Sequence, residues 1–151
     1  MKNKKDTRSV NVINRKARFD FHLERAEIAG IQLMGSEVKA IREGYINMTE
    51  AFCVFENGEL WIRNMHITSK GNAFSHEPAR ARKVLLKRKE LNKLEKDLIK
   101  GYTIVPVRLF SNAENLLKVE ICLAKGKKNY DKRETIKERD IKREISREEK
   151  C

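Results

Sequence analysis

Residues 51–62 read AFCVFENGELWI, two apolar stretches joined by Asn57-Gly58. A two-residue connection between strands takes a type I′ turn, which needs positive φ at both positions, and Asn-Gly meets that need at least steric cost. The stretch is a β-hairpin, and it sets antiparallel pairing as the expectation for its neighbours.

Upstream, RFDFHLE (18–24) alternates Phe19, Phe21 and Leu23 with charged and polar residues, which predicts a half-buried strand. The strand continues through IAGIQL (28–33), with Gly30 at a bend or bulge. GSEVKAIREG (35–44) predicts a short helix with Ser36 as N-cap, Val38 and Ile41 on one face and Gly44 as terminator. Downstream, residues 66–83 lack periodicity and predict a long loop, of the length that is functional or mobile in compact domains. LKRKELNKLEKDLIKG (86–101) places Leu91, Leu94, Leu98 and Ile99 at helical spacing before Gly101. Two further strands follow. Val105, Val107 and Leu109 alternate in TIVPVRLF (103–110), with Pro106 marking an edge or a bulge, and Leu117, Val119, Ile121 and Leu123 alternate in LLKVEICL (116–123).

Hairpins with occasional helices favour antiparallel β structure over βαβ units. The fold class expected is mainly β with accessory helices: an OB-like closed antiparallel barrel of about six strands with two to three helices. Barrels of that kind bind oligonucleotides. The division along the chain is a flexible basic arm over 1–13, an RNA-binding barrel over 14–124 and a basic C-terminal tail over 125–151.

Charge supports the nucleic-acid reading. The net charge is +12, and charged residues make up 37% of the chain against about 25% in ordinary globular proteins. The positive charge is segregated: residues 1–18 and 80–100 each carry +6 and residues 125–151 carry +4, so the remainder is −4. Such segregation marks an anion-binding surface rather than general solubility. Cys53, Cys122 and Cys151 have no metal-ligand spacing and are odd in number, which argues against a disulfide framework and a zinc site. The opening MKNKKDTRSVNV lacks the apolar segment of a signal peptide. No apolar run approaches the roughly 20 residues needed to cross a bilayer, so a soluble protein of a reducing compartment is expected.

Nothing in the chain suggests catalysis. His22, His66 and His76 lie far apart without partner motifs, and no nucleophile elbow, phosphate loop or HExxH occurs. Arg80, Arg82 and Lys83 stand just before a helix that adds Lys87, Arg88 and Lys89. A solvated face is the bland reading; placement at the helix start favours a patch for the phosphate backbone. Trp61 fits core or rim packing better than base stacking. In the tail, Tyr130 sits among Lys127, Lys128, Lys132 and Arg133, an aromatic among cations that suits stacking plus phosphate contact. Good helix formers and i,i+4 pairs follow, with too few apolar residues to dock. The tail is therefore expected to be disordered when free and helical where a surface supports it.

NRKARFDF (14–21), GSEVKAIREG (35–44), RARKVLLKRKEL (80–91) and AKGKKNYDKRETIKERD (124–140), in that order, resemble the SsrA-binding protein family, also called small protein B. The resemblance covers residues 9–147. It implies an OB-fold barrel without enzyme activity, cofactor or metal, which binds the tRNA-like domain of transfer-messenger RNA (tmRNA). It also implies a monomeric, cytoplasmic adaptor that enters stalled ribosomes with alanyl-tmRNA and elongation factor Tu, contacts the small subunit and touches no membrane. The family's Asn-Lys-Lys-Ala block falls on Asn14, Arg15, Lys16 and Ala17, its Glu-Val-Lys helix on Glu37, Val38 and Lys39, and its Arg-x-Arg-Lys block on Arg80, Arg82, Lys83, Val84, Leu85 and Leu86. Its tail block falls on Gly126, Lys127, Lys128, Tyr130, Asp131, Lys132 and Arg133.

The expected RNA contacts on the barrel are Asn14, Arg15, Lys16, Glu27, Lys39, Arg80, Arg82, Lys83, Leu85 and Lys87. The tail residues expected at the ribosome are that tail block together with Lys137 and Arg139, probing the decoding centre and the empty message channel. This chain departs from the family pattern in two places. Ile28 stands where the family has a glutamate implicated in RNA binding, so either Glu27 substitutes through a local shift or the contact is absent. Phe19 stands where histidine is frequent. Two alternatives remain open: a structural ribosomal protein that holds ribosomal RNA permanently, and an RNA-processing enzyme for which candidate catalytic residues are lacking.

Overall fold

The computed structural model describes residues 9–68 and 77–127, and positions 133, 136, 137, 139–141 and 143 beyond them. The first half of the chain runs β1 (Asn11–Ile13), α1 (Arg15–Asp20), β2 (Phe21–Ile31), α2 (Gly35–Arg42), β3 (Ile46–Asn47) and β4 (Phe52–Glu56). The second runs β5 (Glu59–Arg63), β6 (His66–Ile67), β7 (Arg82–Leu85), α3 (Arg88–Asp97), β8 (Tyr102–Ser111) and β9 (Leu117–Gly126). Hydrogen bonding passes through β8, β4, β5, β7, β2 and β9 and returns to β8, which also pairs with β9. Six strands thus close a ring, as expected of an OB-like barrel. β1 is added to β8 on the edge that β8 shares with β4. β3 and β6 form a separate two-stranded ladder.

The hairpin reading holds in detail. β4 and β5 pair in register from Phe52 opposite Arg63 to Glu56 opposite Glu59, and Asn57 and Gly58 adopt φ of 52° and 76°. Inward residues of both strands, Cys53, Leu60 and Ile62, meet Val84, Ile104, Leu109, Val119 and Ile121 in one core. Leu91 and Leu94 of α3 and Ala40 and Ile41 of α2 complete it. Burial pushes the Cys53 thiol far above its ordinary range, and Cys122 is raised for the same reason.

Several elements depart from the sequence reading. Asn11–Ile13, expected within a flexible arm over 1–13, instead pair with β8. Phe19 lies in α1, and β2 begins only at Phe21; Asn14 caps α1 by accepting from the Ala17 N–H, so a capped helix replaces the start of the predicted strand. The N-cap of α2 is Met34 rather than Ser36. The long loop is shorter than expected, since β6 takes its first two residues and β7 its last two, and residues 69–76, with His76, fall outside the described residues.

The alternation of Val105, Val107 and Leu109 is broken as well. The β8–β9 register shifts between Pro106 and Arg108. One extra residue turns the following side chains to the other face. Val105 and Val107 join Ala17, Cys122 and Ala124 in a second, smaller core outside the barrel, and the extra residue after Pro106 returns Leu109 to the interior. Pro106 occupies the bulge, one of the two positions expected of it. The outer core seats α1 on the wall formed by β8 and β9.

Candidate nucleic-acid interface

The long ladder of β2 on β9 runs from Phe21 opposite Gly126 to Gly30 opposite Lys118. At about 3.3 Å per residue its two ends lie about 30 Å apart. Each end carries a basic surface.

At the Gly30 end, β2 leaves β9 and pairs with β7, so Gly30 stands between Lys118 on one side and Leu85 on the other. A Cβ on Gly30 would come within 3.2 Å of the Leu85 Cβ. The missing side chain keeps open a cleft of about 370 Å³ lined by Ile31, Leu33, Val38, Leu85, Leu116 and Leu117, with Arg42 and Lys118 at its rim. Arg42 is fixed there by bonds of 3.1 and 3.0 Å to the Asn115 side chain and carbonyl. Leu85 and Leu116 of this lining are 49% and 52% exposed, and Ile28, two residues from Gly30 along β2, is 60% exposed. An apolar floor between two cations can accept a nucleobase and hold its phosphate.

The neighbouring residues of the predicted patch have different roles. Arg82 and Glu37 are fully buried and paired. Arg82 also donates to the Met65 carbonyl and, at 3.0 Å, to the Pro78 carbonyl, while Arg80 donates to the other Glu37 oxygen. Burial pushes the Glu37 carboxyl upward, but hydrogen bonds from Arg80, the Met34 N–H and Arg82 outweigh it and hold the group below its ordinary value. This network fastens the start of α2 to β7. A direct RNA contact by Arg82 is therefore corrected: its guanidinium is enclosed and its donors are engaged in the core.

Asn14 is corrected for the same reason. It is 4% exposed, and its amide donates to the Met48 and Pro106 carbonyls, both at 2.9 Å. It satisfies the β8 bulge rather than facing solvent. Lys83 lies 3.7 Å from Glu59, which also binds Arg88 at 3.0 Å. Lys39 and Lys87 are exposed.

At the Phe21 end, Arg15, Lys16 and Arg18 are exposed on α1, with Lys16 paired to Glu50. Gly126 closes β9, and Lys127 donates from its backbone to the Asp20 carbonyl at 2.9 Å and from its side chain to the Arg18 carbonyl at 3.3 Å. The tail leaves the barrel here. Its described positions Arg133, Ile136, Lys137, Arg139, Asp140, Ile141 and Arg143 are helical and exposed. Arg139 lies 5.7 Å from the centre of the Phe19 ring. Lys128, Tyr130, Asp131 and Lys132 lie outside the described residues.

Among the described residues no group of His, Cys, Asp and Glu can hold a metal, and no helix is long and apolar enough to cross a membrane.

The chain matches the SmpB protein family model over residues 11–151. The chain belongs to the SmpB family. It is 52% identical to the SsrA-binding protein of Christiangramia forsetii over 145 residues, covering 94% of this chain and 92% of the relative. Identity is 49% over 137 residues with the SsrA-binding protein of Carboxydothermus hydrogenoformans, covering 89% and 91%. A chain of the solved structure "tmRNA-SmpB: a journey to the center of the bacterial ribosome" matches with TM-score 0.67 at 40% identity, covering 79% of this chain and 85% of that one.

Against the SmpB family pattern, the position of Ile28 has a definite consequence. The β2–β9 register is continuous from Arg25 to Gly30, so no local shift brings Glu27 into the place of Ile28. Successive residues face opposite sides of a strand. Glu27 lies on the other face, 3.6 Å from Arg25, and its expected substitution for the family glutamate is corrected. The outer face instead has Glu120 opposite Ile28, 3.2 Å from Arg108.

Sequence reasoning missed Arg42, Lys118 and Leu116 at the cleft and Arg18 and Arg143 at the tail. The outward position of Lys118 in LLKVEICL was a signal for one of them. The bond of Arg42 to Asn115 spans 73 residues and left no local trace.

Proposed function

We propose that this chain is a non-enzymatic RNA-binding adaptor of ribosome rescue. In this reading the barrel binds the tRNA-like domain of tmRNA through the cleft beside Leu85 and the cations around it. The tail probes the decoding centre and the empty message channel of a stalled ribosome's small subunit. The observation that carries this reading is the pair of basic surfaces about 30 Å apart at the two ends of one ladder, one apolar-floored and preformed, the other continuous with the tail. Two RNA contacts can be made at once without competing for the same residues. The names of the relatives, SsrA-binding protein, and of the matched structure of tmRNA, SmpB and the ribosome support it.

Delivery with elongation factor Tu, action as a monomer and a cytoplasmic site of work follow from the same reading. So does the division into an arm, a barrel and a tail, with the start of the tail moved from residue 125 to the end of β9 at Gly126. A message in the channel excludes the tail; an empty channel offers concentrated phosphate that offsets the cost of ordering it.

The test compares binding to tmRNA and to an elongator tRNA of matched length, at two salt concentrations, for the full chain and for a chain ending at Lys127, just past the end of β9. Preference for tmRNA retained by the shorter chain is the expected result, together with loss of peptide tagging on stalled ribosomes. Equal and strongly salt-dependent binding to both RNAs would sink the reading. It would favour a structural ribosomal protein, which would remain on ribosomes through a high-salt wash.

A further inference from the structure

Arg15 and Arg18 of α1 and Arg139 and Arg143 of the tail line one cleft of about 340 Å³, with Ile13 as its apolar side. All four arginines are exposed, and none forms a salt bridge among the described residues. Two of them come from the barrel side and two from the tail, and the sequence distance between the pairs exceeds 120 residues. Four guanidinium groups at one cleft repel each other unless an anion lies between them. The arrangement is nonetheless specific. Arg139 is placed by the Phe19 ring, and Lys127 ties the tail's root to the end of α1. Arg139 and Arg143 are one helical turn apart, about 6 Å along the axis, close enough to engage neighbouring phosphates.

We propose that this cleft is an anion site shared by α1 and the tail, which takes closely spaced phosphates and, on occupancy, fixes the tail helix against the barrel. Arginine is suited to this because its planar fork binds a phosphate through two parallel bonds. The chemistry is that of successive phosphates on one strand of RNA, and it is shared by a free polyphosphate. The site would make the tail's orientation depend on an anion held between it and α1, whatever its far end contacts, and it does not depend on the identity of the RNA held by the barrel.

The experiment uses the full chain with two probes, hexauridylate and inorganic tripolyphosphate, and reads affinity by calorimetry and backbone protection of residues 133–143 by hydrogen exchange. Three double variants are compared: R15Q/R18Q, R139Q/R143Q and, as a charge-matched control on α3, K93Q/K96Q. The first two should each weaken binding about tenfold, as expected for losing charge-assisted bonds to phosphate, and the control less than about twofold. Probe should raise tail protection in the unmodified chain and in the control, but not in R15Q/R18Q. A response to hexauridylate alone assigns the site to an RNA strand; a response to tripolyphosphate alone assigns it to a free polyphosphate. Equal weakening by all three variants, tail protection that persists without Arg15 and Arg18, or no response to either probe overturns the proposal.

Discussion

Asn14 and Arg82 show how a residue can be prominent in a motif and serve the fold. Asn14 closes three hydrogen bonds: it accepts from Ala17 and donates to Met48 and Pro106. Asn14→Ala removes a helix cap, worth about 1 kcal/mol, and leaves two buried carbonyls unmet at about 1 kcal/mol or more each. A loss of about 3 kcal/mol in urea unfolding is expected, and intact stability would show that the amide is dispensable. Glu37→Gln leaves Arg82 buried without its counter-charge and should cost about 3–5 kcal/mol. The same pair sets a pH dependence. The Glu37 carboxyl titrates lower in the folded chain than its ordinary 4.5, so its contribution is present above that pH and is lost as pH falls through the folded value. Thermal melts between pH 6 and 3 should fall more steeply for the unmodified chain than for Glu37→Gln; parallel curves would remove Glu37 from the acid sensitivity. In the sequence both residues lay within blocks of the right type, but charge alone could not separate a buried pair from an exposed patch. That distinction comes from a partner 45 residues away.

At the scale of elements, what was legible was local. The Asn57-Gly58 turn needs only two adjacent residues to be recognised. Gly58 sits at φ +76°, where a side chain is strained, so Gly58→Val should destabilise by at least about 1 kcal/mol and weaken the β4–β5 ladder first. Hydrogen exchange of Cys53 and Ile62 would report it, and an unchanged exchange rate would count against the turn as the hairpin's fixing point. β8 was only half legible. Pro106 announced an irregularity, but the face to which each valine turns depends on where the extra residue is absorbed. α1 was missed because six residues of helix leave too short a period to detect, and because Phe19 and Phe21 imitate the alternation of a strand. The cleft at Gly30 was legible in pieces: Leu85 was identified from its block, while Arg42 and Lys118 meet it through pairings between distant segments.

For the whole molecule, segregated charge was the most readable property, and it predicted basic surfaces without placing them at the two ends of a ladder. The closure of the barrel has a consequence for how the chain comes into being. β8 and β9 are the last strands of the barrel to be made, yet they stand between β4 and β2, which are made early. Until residues 102–126 emerge during synthesis, both flanking strands present unpaired edges, and these contacts are mostly of long sequence range, which slows folding. A nascent chain stopped at residue 111 holds β8 without β9 and cannot close. Such a fragment should be insoluble or protease-sensitive, while a chain reaching residue 127 folds. For this architecture, completion is abrupt rather than gradual: the last hairpin acts as a clasp, and a product that stops before β9 is an open sheet exposed to aggregation and degradation.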